Sequence, residues 1–420
     1  MTTPEKPQTP PGQPPQGQPY QQQAPQHQPA PYQQPAASEH PQNAANHQQF
    51  QPQDQQLQPQ DQQFQPQGQQ YGQPQGQQQP QDHANHNAHQ EQSEQRWASE
   101  HQLDQTDHEL RERFEKARAE VGKAVVGQTE AVEGIMVALL SGGHVLLEGV
   151  PGVAKTLLVR SIAGALDLDS ARIQFTPDLM PGDVTGSMIY NAQTSSFEFR
   201  EGPVFTNILI ADEINRTPPK TQSALLEAME ERQVSVDGLT RKLDEPFLVA
   251  ATQNPVEYDG TYPLPEAQLD RFLFKLILDL PQRNTEVEIL TRHAAGFSAH
   301  DLSRIEPTLN RDTILEASQR AQNVYCAPEV LEYIVDLVQA TRRAPSFALG
   351  VSPRGATRLL AATRSRAWLH GRAFITPDDV KALMGITFRH RVQLRPEAQM
   401  DGIGIDQVLD SIVSTVAVPR

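Results

Sequence analysis

Past about residue 105 the chain is punctuated by short, nearly unbroken apolar runs: 144–148 (HVLLE), 207–213 (NILIADE), 247–255 (FLVAATQNP) and 272–278 (FLFKLIL). Runs of this length without alternation are the signature of strands covered on both faces, as in a parallel sheet. After the first run, Leu157, Leu158 and Ile162 recur at helical spacing, giving a strand, a loop and a helix in that order. Two segments alternate instead. Residues 188–190 and 197–200 flank a polar turn at 191–196, and residues 233–236 and 239–242 flank Asp237-Gly238, a strong two-residue turn signal, so each pair predicts a β-hairpin. Beyond a boundary near residues 280–282 (LPQ) the spacing becomes helical. Leu331, Ile334, Val335 and Val338 fall at i, i+3, i+4 and i+7, while Ser352-Pro353 and Thr376-Pro377-Asp378-Asp379 read as helix starts. The expected organisation is an α/β domain over 106–280, with a parallel sheet and two hairpin insertions, followed by a helical domain over 281–420.

Residues 1–105 break this pattern. They are mostly Gln, Pro, His and Asn, with almost no Ile, Leu or Val. Ordering such a segment would cost about 1–2 kcal/mol of backbone entropy per residue with little apolar area to offset it, so a disordered tail with polyproline II character is expected. The near-repeats at 51–56 and 58–63 (QPQDQQ) are low complexity, and His83, His86 and His89 lack the cysteine or acid that would complete a metal shell.

A formal net charge of −16 argues against general nucleic-acid binding, which depends on Lys and Arg neutralising phosphates. One cysteine, Cys326, excludes an intramolecular disulfide. The amino terminus has no basic-then-apolar leader and no apolar run approaches the ~18 residues a membrane helix needs, so a cytoplasmic protein without a membrane span is expected.

The chemistry is carried by residues 149–156 (GVPGVAKT). A glycine-containing turn that ends in Lys155-Thr156 between strand and helix can wrap backbone N–H groups and an ammonium around nucleotide phosphates. Ala154 stands where the strict phosphate-loop pattern has glycine, and alanine enters positive φ less readily. The 207–213 run delivers Asp212 and Glu213 to a strand's carboxyl end, where Asp212 suits Mg²⁺, with Thr156 as its second contact, and Glu213 suits orienting or deprotonating a water. Asn254 ends the next strand and can hold that water. Arg271 closes a short helical segment and can act on a neighbouring subunit's nucleotide. Arg354 follows the Ser352-Pro353 cap, so it lies in the first turn of a helix running through Leu359, Leu360 and Thr363.

From about Val121 to the carboxyl terminus these motifs resemble the MoxR family of AAA+ ATPases: GVPGVAKT its phosphate loop with the alanine included, ADEINR its acidic strand, ATQNP its sensor strand and LPEAQLDRF its arginine-finger segment. The resemblance implies an AAA+ P-loop nucleotide-binding domain and a helical lid. It further implies that ATP and Mg²⁺ are held by Gly149, Pro151, Gly152, Val153, Ala154, Lys155 and Thr156, with Asp212 at the metal. Gly127 and Gln128 would line the adenine, Glu213 and Asn254 would serve the water, Arg271 would be the trans-acting finger, and Arg354 the second sensor closing over the nucleotide. The hairpins are similar to the helix-2 insert and pre-sensor hairpin of the clade that includes magnesium chelatase subunits and minichromosome maintenance helicases. A homo-oligomeric ring, a hexamer, would hydrolyse ATP at subunit interfaces and remodel or activate a protein client, in this family often one with a von Willebrand factor A domain. Two other readings stay open at this point: a nucleic-acid translocase, favoured by the hairpins and the Arg241-Lys242 pair, and a nucleotide-dependent scaffold whose tail recruits partners.

Overall fold

The computed structural model describes residues 102–255, 260–298 and 302–419. Residues 1–101 of the expected disordered tail, with its three spaced histidines, lie outside the described residues. Leu103 and Asp104 already belong to the folded part: Leu103 packs on the core, and Asp104 caps α1 (Gln105–Ala124) by accepting the N–H of Asp107. That hydrogen bond satisfies one of the donors every helix start leaves orphaned.

Five strands form one parallel sheet: β1 (Val145–Glu148), β2 (Ser170–Gln174), β5 (Ile208–Asp212), β8 (Leu248–Gln253) and β9 (Phe274–Ile277), in the spatial order β9-β1-β8-β5-β2. The order is not sequential, so each connection crosses over the sheet and must carry a helix or an insertion. Register brings the strand ends level: Glu148 lies opposite Gln253, and Gln174 opposite Asp212. β5 is buried throughout, as its unbroken apolar run requires.

Both expected hairpins form. β3 (Gly186–Asn191) pairs antiparallel with β4 (Ser196–Glu201), and β6 (Gln233–Val236) with β7 (Leu239–Lys242). Asp237 and Gly238 both take positive φ at the second turn, as a two-residue hairpin of this type demands.

Helices α2 (Thr129–Leu140), α3 (Lys155–Ala165) and α4 (Pro219–Glu231) flank the sheet, and α5 (Arg283–Ala294), α6 (Arg311–Gln322), α7 (Pro328–Arg343), α8 (Pro353–Leu369), α9 (Pro377–Phe388) and α10 (Ile405–Thr415) follow it. One apolar core runs from α1 and α2 across one face of the sheet into α6 to α10, while a second covers the opposite face under α4. Trp368 shows how the first core is tied together: its ring meets Phe114 edge-on at 5.8 Å, and its indole N–H donates to Asp107 at 2.8 Å.

The helix starts at Ser352 and Thr376 are capped as expected, Ser352 accepting from Gly355 and Thr376 exchanging bonds with Asp379. The helix read from Leu331, Ile334, Val335 and Val338 forms as α7. Ile334 and Val338 are buried, but Leu331 and Val335 are exposed, because the buried stripe is Val330, Tyr333, Ile334, Leu337, Val338 and Thr341, rotated toward α8 and α10. Among the described residues no helix is long and apolar enough to cross a membrane.

Candidate nucleotide site

The loop after β1 folds as its composition requires. Gly152 sits at φ 90°, where a side chain is strained, and Ala154 takes the left-handed conformation at φ 64° that glycine would adopt at no cost. α3 then begins at Lys155, so the loop delivers Lys155 and Thr156 at a helix amino terminus, where backbone N–H groups and the helix dipole favour an anion. Lys155 Nζ donates to the carbonyl oxygens of Gly149 and, at 3.3 Å, of Val150.

This loop borders a cavity of about 540 Å³ that also exposes Gln128, Asp212, Glu213, Thr252 and Asn254. Pro151, Gly152, Val153, Ala154, Lys155 and Thr156 all lie on its wall. Gly127 and Gly149 were expected to touch the nucleotide, but neither is on that wall. A Cβ on Gly127 would sit 2.6 Å from Thr285 Cγ2, and one on Gly149 would sit 2.6 Å from the Leu278 carbonyl oxygen, so their lack of a side chain lets the two segments pack.

The acids are held by a network of hydrogen bonds. Asp212 is buried, and each of its carboxylate oxygens lies 3.2 Å from Thr156 Oγ1. Thr252, on the neighbouring β8, donates to Asp212 Oδ1 at 3.1 Å and accepts the Glu213 backbone N–H at 3.0 Å. Glu213 itself is left-handed at φ 58°, a conformation that costs a non-glycine residue about 1–3 kcal/mol and persists only where neighbours enforce it. From β2, Arg172 Nε reaches Asp212 Oδ2 at 2.7 Å, and Gln174 Nε2 donates to Glu213 Oε2 at 2.5 Å. Arg216 Nε stands 3.2 Å from the same Glu213 oxygen. Sequence reasoning overlooked Arg172, Gln174 and Thr252. The first two sit on a short strand of mixed polarity, and the third was submerged in an apolar run.

A hydroxyl and a carboxylate in contact at the end of the phosphate loop fit a divalent cation arriving with a polyphosphate, Thr156 as a direct ligand and Asp212 through water. No group of three or more His, Cys, Asp or Glu suited to a metal exists among the described residues, so the fit is to a cation that the nucleotide helps to hold.

The far wall comes from the helical part: Pro281, Ile289, Arg292, His293 and Phe297, on and around α5. Arg354 was expected to close over the nucleotide, and it is not on the wall of its own chain's cavity. Its Nη2 donates to both oxygens of Glu230, at 2.8 and 2.7 Å, and its Nε stands 3.6 Å from Asp270. Two carboxylates therefore hold it elsewhere. Arg271 is also off the wall and shares the same anchor, with Nε 3.5 Å from Glu230 Oε2. The hydrogen bond from Arg354 holds the Glu230 carboxyl below the usual range, against the opposing effect of burial.

Residues 144–274 match the family model for the ATPase family associated with various cellular activities (AAA), and residues 339–412 match the AAA lid domain. The YeaC protein of Bacillus subtilis is 50% identical over 304 residues, covering 72% of this chain and 94% of the relative. Chaperone MoxR1 of Mycobacterium tuberculosis is 44% identical over 316 residues, covering 73% and 82%. A crystal structure of an assigned ATPase from Cytophaga hutchinsonii superimposes with a TM-score of 0.69 at 40% identity, covering 75% of this chain and 97% of that one.

Proposed function

This chain belongs to the MoxR family of AAA+ ATPases, and from that premise we propose that it assembles into a ring, a hexamer, which hydrolyses ATP to ADP and phosphate at subunit interfaces to remodel, mature or activate a protein client. One observation carries the interface part of this reading: Arg271 and Arg354 share Glu230 and stand apart from the cavity that holds Lys155, Thr156, Asp212, Glu213 and Asn254 in the same chain. Cations needed for transition-state charge, but held away from their own chain's phosphate loop, fit the nucleotide of an adjoining copy. The client of this reading is a protein with a von Willebrand factor A domain, and such a protein is the first candidate to add.

Within one chain the division of labour follows from position. Lys155 and the loop N–H groups hold phosphate oxygens, and Thr156 and Asp212 would hold Mg²⁺, which would supply charge neutralisation of the phosphates. Glu213 takes or orients the proton of the attacking water, and Asn254, at the end of β8, fixes that water's position. The neighbouring copy's arginines complete the charge balance.

The test is subunit mixing. Arg271→Ala and Lys155→Ala chains, each inactive alone, should regain partial ATP turnover when mixed, because one supplies the phosphate loop and the other the finger. Mixed assemblies that stay inactive at every ratio would refute action across the interface. For the client, turnover is measured with candidate proteins and with single-stranded or duplex DNA; strong stimulation by DNA would replace the chaperone-like reading with a translocase.

A further inference from the structure

The helical part grips the arginine-finger segment through one side chain that none of the site motifs contains. Arg391 lies just beyond the end of α9, and its side chain is 2% exposed. A guanidinium has five N–H donors, and here every one is used. Nε donates to Asp270 Oδ1 at 2.6 Å, and Nη2 to the carbonyls of Phe272 at 2.6 Å and Asp270 at 3.1 Å. Nη1 donates to the carbonyl of Leu273 at 3.1 Å and to that of Thr387 in the last turn of α9. Nη1 also lies 2.8 Å from Nε2 of the adjacent His390, which in turn stands 3.0 Å from the Phe272 carbonyl oxygen. A buried cation costs several kcal/mol unless it is fully paired, and Asp270 with four carbonyl groups pairs this one. Burial lowers its pKa to about 10, so it stays charged at neutral pH.

Arg391 also touches the turn that carries Arg354. A Cβ on Gly355 would lie 3.2 Å from Arg391 Cδ, so the start of α8 is seated on the arginine's stem. Asp270 then bridges the two systems, with Oδ1 on Arg391 and Oδ2 3.6 Å from Arg354.

Resting on the reading that Arg271 and Arg354 serve an adjoining copy's nucleotide, we propose that Arg391 is a positioning residue of the ATPase reaction. It locks the 270–273 segment to the first turn of α8, so that both arginines reach the neighbouring phosphate as one rigid unit. Arg391 thereby sets the finger's geometry without lining the nucleotide cavity itself.

The experiment uses the full chain carrying Arg391→Lys, which keeps the charge and stem but loses the planar fork, and separately Asp270→Asn, which leaves the backbone acceptors in place. Each is followed by thermal melting, by binding of a fluorescent ATP analogue, by kcat and KM, and by mixing with Lys155→Ala chains. The expected result is analogue affinity within about twofold of wild type, an unchanged KM, and kcat lower by about tenfold or more. Turnover should partly return on mixing, since the Lys155→Ala copies present intact arginine pairs. Wild-type kcat in either folded variant would overturn the proposal. So would parallel loss of kcat and nucleotide binding, the mark of a merely structural role, or absence of recovery on mixing where the Arg271→Ala mixture does recover. If Arg391→Lys does not fold, Asp270→Asn decides. No recovery in the Arg271→Ala mixture would instead overturn action across the interface, and the two failures are thus told apart.

Discussion

Arg172 Nε on β2 lies 2.7 Å from Asp212 Oδ2 on β5, so the carboxylate suited to magnesium already carries a protein cation. Arg172 is 54% exposed, and a half-solvated pair of this kind contributes about 0–1 kcal/mol. A metal must compete with it. Arg172→Ala should therefore lower the Mg²⁺ concentration needed for half-maximal nucleotide binding, by up to about fivefold. A magnesium titration of fluorescent-ATP binding checks this, and an unchanged or raised midpoint would show that Arg172 does not compete with the metal.

Thr252 joins the two acids, donating to Asp212 and accepting from the left-handed Glu213 N–H. Valine has nearly the same shape but leaves both partners short of a bond, a loss of about 1–3 kcal/mol at a buried site. Thr252→Val should keep ATP affinity within about threefold while kcat falls about 10- to 100-fold, since each 1.4 kcal/mol of barrier is about tenfold. Thr252→Ser should restore most of the rate. Steady-state turnover of the three proteins checks it, and full activity in the valine variant would separate Glu213's conformation from its chemistry.

Most of the sheet and one half of the site were readable before any coordinates, because a strand buried on both faces writes its own apolar run and ends where its acids begin. Asp212, Glu213 and Asn254 needed only that rule. Arg354 was placed on its helix by Ser352 and Pro353. Its position depends on Glu230 and Asp270, which a local pattern does not relate to it. On α7 the quartet of Leu331, Ile334, Val335 and Val338 showed the helix, whereas the buried stripe through Val330, Tyr333 and Leu337 is selected by the neighbours α8 and α10. Arg391 sits in a basic stretch that reads as solvated surface, and nothing local reveals that it is buried.

His144 gives the protein an acid limit. Its Nδ1 accepts the N–H of Val249 at 3.0 Å, so Nε2 carries the proton and lies 3.2 Å from the Met229 carbonyl. Burial first, and Arg232 second, lower its pKa from 6.5 to about 3. The unfolded chain takes up that proton below about pH 6.5 and the folded chain does not until about pH 3. Stability from this group is therefore complete above the unfolded value and lost as pH falls between the two, at up to about 1.4 kcal/mol per pH unit. His390, equally buried and also shifted down, adds to the slope. Denaturant melts at pH 7.5 and 5.5 should show a marked loss for wild type. His144→Gln should be less stable at pH 7.5 and lose less on acidification; an equal slope in both would exclude His144 as a source.

The hairpins meet where β3 lies against β6, and a side-chain contact further ties β7 to β4. Arg241 on β7 places its guanidinium carbon 4.3 Å from the centre of the Phe199 ring on β4, a cation–π contact between two half-buried side chains worth about 0.5–2 kcal/mol. The β6–β7 hairpin leaves α4 at Arg232, returns with Leu243 N–H on the Arg232 carbonyl, and feeds β8, whose end holds Asn254. A shift at Asn254 can thus pass along β8 to the second hairpin and, through Arg241, to the first, whose Tyr190 and Phe197 are exposed and pack edge-on at 5.4 Å. Phe199→Ala should leave basal ATP turnover within about twofold, while Arg241→Ser with Lys242→Ser should in addition weaken client remodelling. Hydrogen exchange in ATP and ADP provides the check without a client. In wild type both hairpins should change protection with nucleotide, and in Phe199→Ala only β6–β7 should do so. A β3–β4 hairpin that still responds in the variant would mean the signal reaches it by another route, through β5 or the loop before it, and Arg241 would be left as a packing residue.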